Sequence, residues 1–239
     1  MSGLVSESGN RAVFFDAVGT LLFPEPPPVE VYTETGRRHG SDLSREQVAE
    51  RFHRAFRREE EKDAAVGLAV DPARERQRWS AIVRSVFHGT GAADASDEVF
   101  AELWDYFAQS RAWHVAPDAP AVLSKFSQRG YVLGIASNFD SRLHRLLDSL
   151  PELTPIAKRV LSSEVGWRKP DRRFFEAVMR SAGCPPRQIL FVGDDPVSDY
   201  DAAKSAGLHA VLFDREGQVS AARRSVRRLR DLLGLHIGA

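Results

Sequence analysis

Val13-Phe14-Phe15-Asp16-Ala17-Val18-Gly19-Thr20-Leu21 is an apolar run that stops at a carboxylate and then turns through Gly19-Thr20. A short apolar run closed by turn residues reads as a buried strand, which sets Asp16 at its C-terminal edge. Open α/β sheets hold their ligands at that edge, and a carboxylate there can act as nucleophile or metal ligand. Taken alone, Asp followed by Gly also fits an ordinary turn.

Later segments repeat the pattern. Tyr131-Val132-Leu133-Gly134-Ile135-Ala136 runs into Ser137-Asn138, and Ile189-Leu190-Phe191-Val192 runs into Gly193-Asp194-Asp195, with Asp199 five residues after Asp194. Between them, Trp167-Arg168-Lys169-Pro170-Asp171 opens a helix. Shorter strands are expected at Arg159–Leu161 and His209–Phe213, and helices starting near Asp118, Asp140, Asp171 and Ser198, with Gly130, Gly183 and Gly207 at their C-terminal ends. Strand alternating with helix predicts an α/β fold, a doubly wound parallel sheet.

The segment after the first strand differs in character. Pro24, Pro26, Pro27 and Pro28 break the chain, and from Val29 to Gln109 the apolar spacing is helical. Ser44-Arg45-Glu46-Gln47 has the form of a capping box, followed by Val48, Phe52, Ala55 and Phe56 on one face. Asp71-Pro72 is an N-cap with proline at the first helical position, and Trp79, Ile82, Val83, Val86 and Phe87 form the next stripe. Val99, Phe100, Leu103, Trp104 and Phe107 form a third, after Ser96, and a weaker helix spans Val29–His39. Such stripes must bury one another, so an inserted bundle of helices is expected. The expected division is a loose tail over 1–10, a core from 11–23 plus 113–239, and the helical insertion over 24–112.

A chain of 239 residues can supply one full α/β core plus a smaller insertion. Its formal net charge of zero gives no global field toward nucleic acid or a membrane surface, so neither is expected as a partner. Cys184 is the single cysteine; it excludes an internal disulfide, fits a reducing compartment and sits in a helix-ending turn with Gly183. No 18-residue apolar run occurs, and the first ten residues lack the basic-then-apolar pattern of a signal peptide. A cytoplasmic protein is expected.

Asp16, then Ser137, then Lys169, then Gly193-Asp194 with a trailing acid resembles the four-motif signature of the haloacid dehalogenase (HAD) superfamily of hydrolases, from about Arg11 to Gly217. The resemblance implies a Rossmann-like core of strand order 5-4-1-2-3, which sets the ends of strands 1, 2 and 4 side by side, and an insertion resembling the helical type 1 cap. It implies Asp16 as the nucleophile that becomes an aspartyl-phosphate, Lys169 as the neutralising cation, and Thr20, Ser137 and the Asn138 backbone as holders of phosphate oxygens. It further implies Mg²⁺ at Asp16, the Val18 carbonyl and Asp194, with Asp195 or Asp199 as second ligand or water holder, and a phosphorylated small-molecule substrate. An all-oxygen set suits such a hard ion. Phe23, Asn138, Phe139 and Trp167 are candidates to line the cleft.

One departure bears on activity. Phosphatases of the superfamily carry a second Asp two residues after the nucleophile, which protonates the leaving group and then activates water; here that residue is Val18. Haloacid dehalogenases also lack this Asp and use no metal, but they carry a Tyr after the lysine where this chain has Phe174 and Phe175, and their fourth motif is Ser-rich. They also need a cap arginine, for which Arg37 and Arg38 are candidates. A narrower resemblance, through Ser137-Asn138-Phe139-Asp140 with Arg142-Leu143, Ser163-Glu164-Val165-Gly166 and Asp199-Tyr200, is to the HAD-like hydrolase domain-containing protein 3 group. The alternatives are therefore a phosphatase-type site without its proton shuttle, a 2-haloacid dehalogenase, and a ligand-binding pseudoenzyme. His39 replaces the missing acid only if the cap carries it over Asp16. Gln218–Leu235, with Val219, Ala222, Val226, Leu229 and Leu233 at helical spacing and arginines elsewhere, reads as a closing helix.

Overall fold

The computed structural model describes residues 11–218 and 223–235. Strand β1 (Ala12–Phe15) leads through β2 (Leu22–Pro24) into helices α1 (Pro28–Arg38), α2 (Arg45–Ala65), α3 (Pro72–Phe87) and α4 (Ser96–Tyr106). The chain returns through β3 (Trp113–Val115), then α5 (Ala119–Gln128), β4 (Val132–Ser137), α6 (Arg142–Asp148), β5 (Lys158–Leu161), α7 (Ser162–Val165) and α8 (Arg172–Ala182). It ends with β6 (Ile189–Gly193), α9 (Ala202–Ser205), β7 (His209–Phe213) and β8 (Ser225–Val226).

Six strands form one sheet in the order β5-β4-β1-β6-β7-β8, every pairing parallel. Without the two-residue β8, this is the 5-4-1-2-3 core order counted along the core strands. The apolar runs follow from burial on both faces. Successive side chains of a strand point to opposite sides: Val13, Phe15, Leu133, Ile135, Leu190 and Val192 enter one core cluster, while Ala12, Phe14, Ala136, Ile189 and Phe191 enter the other. Phe14 and Phe15 are fully buried, each contributing roughly 1.5–3 kcal/mol of transfer free energy.

Between β2 and β3, which pair antiparallel, helices α1–α4 bury a third cluster that includes Tyr32, Val48, Ile82, Val86, Phe87, Val99 and Leu103. Local signals start these helices as expected. Ser44 and Gln47 make the reciprocal capping box on α2, and Asp71 accepts from Arg74 N ahead of Pro72 on α3.

The C-terminal helix does not form among the described residues. Ser225–Val226 instead extends the sheet beside Phe213, and a 3₁₀ turn over Leu229–Gly234 buries Leu229 and Leu232. An open edge at β7 offers unpaired backbone groups, which a strand satisfies and a helix does not. Arg223 forks onto Asp201 at 3.1 and 2.6 Å. Val219 and Ala222 of the expected stripe, like the expected tail over 1–10, lie outside the described residues.

Candidate active site

Phe15 stands in register with Ile135 on one side and with Val192 on the other. Asp16 follows Phe15 directly, and Ser137 and Asp194 stand two residues beyond Ile135 and Val192, so the three come together at the carboxyl edge of the sheet. β1 is the switch point between neighbours reached in opposite directions, where such sheets open a crevice.

Lys169, carried by the loop between α7 and α8, reaches into this crevice. Its Nζ lies 2.5 Å from Asp16 Oδ1 and 2.6 Å from Asp199 Oδ1, and all three side chains are buried. Burial alone would depress the ammonium's pKa, but the charges and hydrogen bonds of Asp16 and Asp199 outweigh it and hold Lys169 well above the ordinary lysine range. Asn138 fixes the lysine from behind. Its Oδ1 accepts from Lys169 N at 2.8 Å while its Nδ2 donates to Lys169 O at 3.1 Å. The sequence reading places the Asn138 backbone on the phosphate and the residue on the cleft wall; this clamp by its side chain is an addition.

Thr20, fully buried, donates its hydroxyl to Asp194 Oδ1 at 3.2 Å. Ser137 is buried at the end of β4. Of the two candidates for a further acidic group, the structure gathers Asp199: carboxylate oxygens of Asp16, Asp194 and Asp199 all lie within 4.8 Å of one another. Asp195 turns aside, its Oδ1 accepting from Val197 N and Ser198 N at 2.9 and 2.6 Å to cap the widened π turn over Pro196–Asp201. That turn carries Asp199 back beneath β6, where its Oδ2 accepts from Asp195 N at 3.1 Å.

Three carboxylates facing one ammonium leave a local excess of negative charge. Asp194 is the exposed member, yet enough protein surrounds it that loss of water, followed by the charges of Asp16 and Asp199, raises its pKa to about 7. Loss of water also raises Asp199, to about 6, against the pull of Lys169. The donor set therefore fits a hard divalent cation: all oxygen, clustered and short of positive charge.

Two glycines keep the cluster this tight. A Cβ built on Gly193 would overlap the Asp199 carboxylate, and one on Gly19, at φ +90°, would overlap that of Asp194. Gly193 has no left-handed φ, so Gly193→Ala is a purely steric test. It is expected to displace Asp199, weaken divalent-metal binding about tenfold or more and lower stability by about 1–3 kcal/mol; unchanged metal affinity in a calorimetric titration would remove Asp199 from the site.

Other candidates lie apart from the cluster. Phe23 stacks on His114 and lies beneath Arg215, and Trp167 lies beneath Arg173, whereas Phe139 lines a cavity between the core and the inserted helices. Arg37 and Arg38 pair with Glu34, and Arg38 also with Glu102, leaving both side chains largely in solvent. His39 is held by Glu102 at 3.0 Å within the helical unit, so it is engaged away from Asp16.

The sequence reading missed a buried ion network that fastens the helices to the lysine loop. Asp63 accepts from Arg74 and Arg78, and Arg168 bonds Glu75 at 2.5 Å. Backbone bonds reinforce the link, from Val70 N to Gly166 O at 3.1 Å and from Arg168 N to Leu68 O at 3.0 Å. A signal exists in the sequence: Glu75 and Arg78 fall on the same helical face as Ile82, Val83 and Val86, so they continue an apolar stripe and must be buried.

The family model of haloacid dehalogenase-like hydrolases matches residues 10–207. The chain belongs to this family. Among its HAD relatives, haloacid dehalogenase-like hydrolase domain-containing protein 3 of Homo sapiens is 32% identical over 205 residues, covering 84% of this chain and 81% of that protein. A dehalogenase crystal structure superposes on this HAD chain with TM-score 0.71 at 19% identity, covering 99% of this chain and 100% of the other. A HAD phosphatase from Thermococcus onnurineus superposes with TM-score 0.64 at 22% identity, covering 94% and 96%. At these identities the two structures share the HAD fold, and that fold serves both a dehalogenase and a phosphatase; the chemistry has to be argued from the site. Among the described residues no helix is long and apolar enough to cross a membrane.

Proposed function

We propose that this HAD hydrolase is a Mg²⁺-dependent phosphatase that works through Asp16 and supplies no proton to the leaving group. The observation that carries the reading is the cluster of Asp16, Asp194 and Asp199 about Lys169, beside a valine at position 18. A magnesium ion held by Asp16, the Val18 carbonyl, Asp194 and Asp199 would neutralise the surplus charge of the cluster and of the phosphate bound there. In this reading residues 11–23 and 113–239 form the core domain and 24–112 the cap, with the β2–β3 pair as their joint.

Phosphoryl transfer demands positioning and neutralisation more than covalent ingenuity. Lys169, Thr20, Ser137 and the Asn138 N–H hold the phosphate oxygens. The Asp16 carboxylate bonds to phosphorus as the ester P–O bond breaks, and the electron pair leaves on the departing oxygen. Val18 has no proton to give, so the leaving group departs as the anion. Water then attacks phosphorus, the bond from Asp16 to phosphorus breaks to return the carboxylate, and the water's proton passes to the released phosphate, since position 18 has no carboxylate to take it. General acid–base help of this kind is worth roughly 10²–10⁴ in rate, so substrates with stable leaving anions are favoured.

The testing experiment is turnover of para-nitrophenyl phosphate, acetyl phosphate, glycerol phosphate and 2-chloropropionate, each with Mg²⁺ and with EDTA. Aryl and acyl phosphates are expected to turn over with Mg²⁺ alone. Because Asp194 and Asp199 stay protonated to about 7 and about 6 in the metal-free site, Mg²⁺ must displace protons below those values. Its apparent affinity should therefore rise with pH across that window. Haloacid turnover in EDTA would make the protein a dehalogenase; saturable Mg²⁺ binding without turnover of any compound would make it a binding protein.

A further inference from the structure

A cavity of about 280 Å³ lies between the core and the inserted helices. Val18 and Phe139 wall its core side, two residues beyond Asp16 and Ser137 respectively, and Phe56, Trp79, Trp104 and Phe107 wall the other. Carbon dominates the lining, interrupted by four buried charged side chains, Glu75, Arg78, Asp140 and Arg142.

Three of the four are engaged with each other or with neighbours. Arg142 places Nε and Nη2 on Asp140 at 2.8 Å each and donates Nη1 to Trp104 O at 2.9 Å. Glu75 accepts from Trp79 Nε1 at 3.0 Å and from Arg168 Nη1 at 2.5 Å. Arg78 differs. Its Nε donates to Asp63 Oδ2 at 2.9 Å, but Nη2 is buried and no acceptor reaches it among the described residues. The Arg78 side chain is 1% exposed and its guanidinium lies 4.5 Å from the Phe56 ring centre, so it is held in place and out of water. A buried donor of this kind is unfavourable until something accepts from it.

We infer that this cavity is a substrate-recognition pocket for a small aromatic acid, with Arg78 Nη2 as the anchor for its carboxylate. The aromatic walls select a flat apolar body, because a sugar's hydroxyls would go unpaired against them. A guanidinium pairs well with a carboxylate through charge-assisted N–H···O bonds, and Asp63, the carboxylate partner of Arg78, is shared with Arg74 at 2.5 Å and Arg168 at 3.7 Å. The volume lies just below the roughly 300 Å³ at which small-molecule sites begin, which suits a ligand of one ring and a short acid arm. As a statement about substrate it rests on the phosphatase reading: an aryl phosphate bearing a carboxylate would seat its ring beside Val18 and release a phenolate, which needs no proton. As a statement about binding it stands without turnover.

Trp79, Trp104 and Trp113, three of the chain's four tryptophans, line the cavity, so intrinsic fluorescence reads its occupancy. The full chain is titrated with phenylacetate, with neutral phenylacetamide and with glucose phosphate. A saturable fluorescence change is expected for phenylacetate, with phenylacetamide about tenfold or more weaker and glucose phosphate silent at the tryptophans. Arg78→Met is expected to erase the preference for the acid over the amide. Val83→Phe, which fills the cavity with carbon and leaves the ion network alone, should abolish binding of both. Asp16→Asn should bind phenylacetate like the wild type, so loss of turnover and loss of this pocket are separate results. Equal affinity for acid and amide in the wild-type protein would overturn the proposal even if Arg78→Met does not fold. So would unchanged binding in Val83→Phe, or binding lost in Asp16→Asn.

Discussion

Asp16→Asn is expected to lower kcat on an aryl phosphate by about 10⁴-fold or more while the protein stays folded. The amide keeps the shape of the carboxylate and can still accept from Lys169 Nζ, which retains its second partner Asp199 at 2.6 Å. What it loses is the negative charge that makes the oxygen a nucleophile toward phosphorus. The same change removes one negative charge from a cluster in which Asp16 raises the pKa of both Asp194 and Asp199. Thermal unfolding without metal should therefore show relief of this repulsion at neutral pH partly offsetting the loss of Asp16 as a charged partner of the buried Lys169. The sign of the relief follows from linkage: groups whose folded pKa is raised contribute least once the pH exceeds it, and removing a cause of the rise relieves that loss. A variant retaining activity within tenfold of the wild type would take the nucleophile's role away from Asp16.

Val18→Asp is the second large effect and runs the other way. Two residues after the nucleophile, its side chain lines the cavity wall beside the cluster. A carboxyl there should raise kcat/KM on alkyl phosphates by roughly 10²-fold or more and leave an aryl phosphate nearly unaffected. A fourth acid near Asp16, Asp194 and Asp199 adds repulsion, which raises pKa values and blunts the gain. Val18 is 36% exposed, so the new carboxylate keeps part of its water and the stability cost is modest. The measurement is kcat/KM on a matched aryl and alkyl pair for both proteins. An equal change on both substrates would mean that position 18 is not where the proton is needed.

The sheet was legible because its strands are buried on both faces and so read as unbroken apolar runs, each stopped by a reactive residue at its carboxyl edge: Asp16, Ser137, Asp194. The helical insertion was legible through its caps at Ser44 and Asp71. The C-terminal stretch misled, because Val226, Leu229 and Leu233 fit helical spacing while the open edge of β7 favoured a strand at Ser225–Val226. Long-range pairing of that kind leaves no periodic mark. Within the acidic cluster, Asp195 and Asp199 could not be told apart by spacing; the wide turn over Pro196–Asp201 and the missing side chain at Gly193 are what bring Asp199 in. Arg78 and Glu75 are hard to single out in the sequence because charges are usually solvated, although their place on an apolar helical face is visible.

The proposal is phosphoryl transfer at a cluster of carboxylates that holds one divalent ion and offers no proton donor. It is tested most directly by kcat/KM for a series of aryl phosphates of graded leaving-group pKa, measured with saturating Mg²⁺. With the leaving oxygen departing unprotonated, the rate should fall steeply as the phenol's pKa rises. A rate that hardly varies across the series would show that a residue of this protein delivers the proton, and would contradict the account.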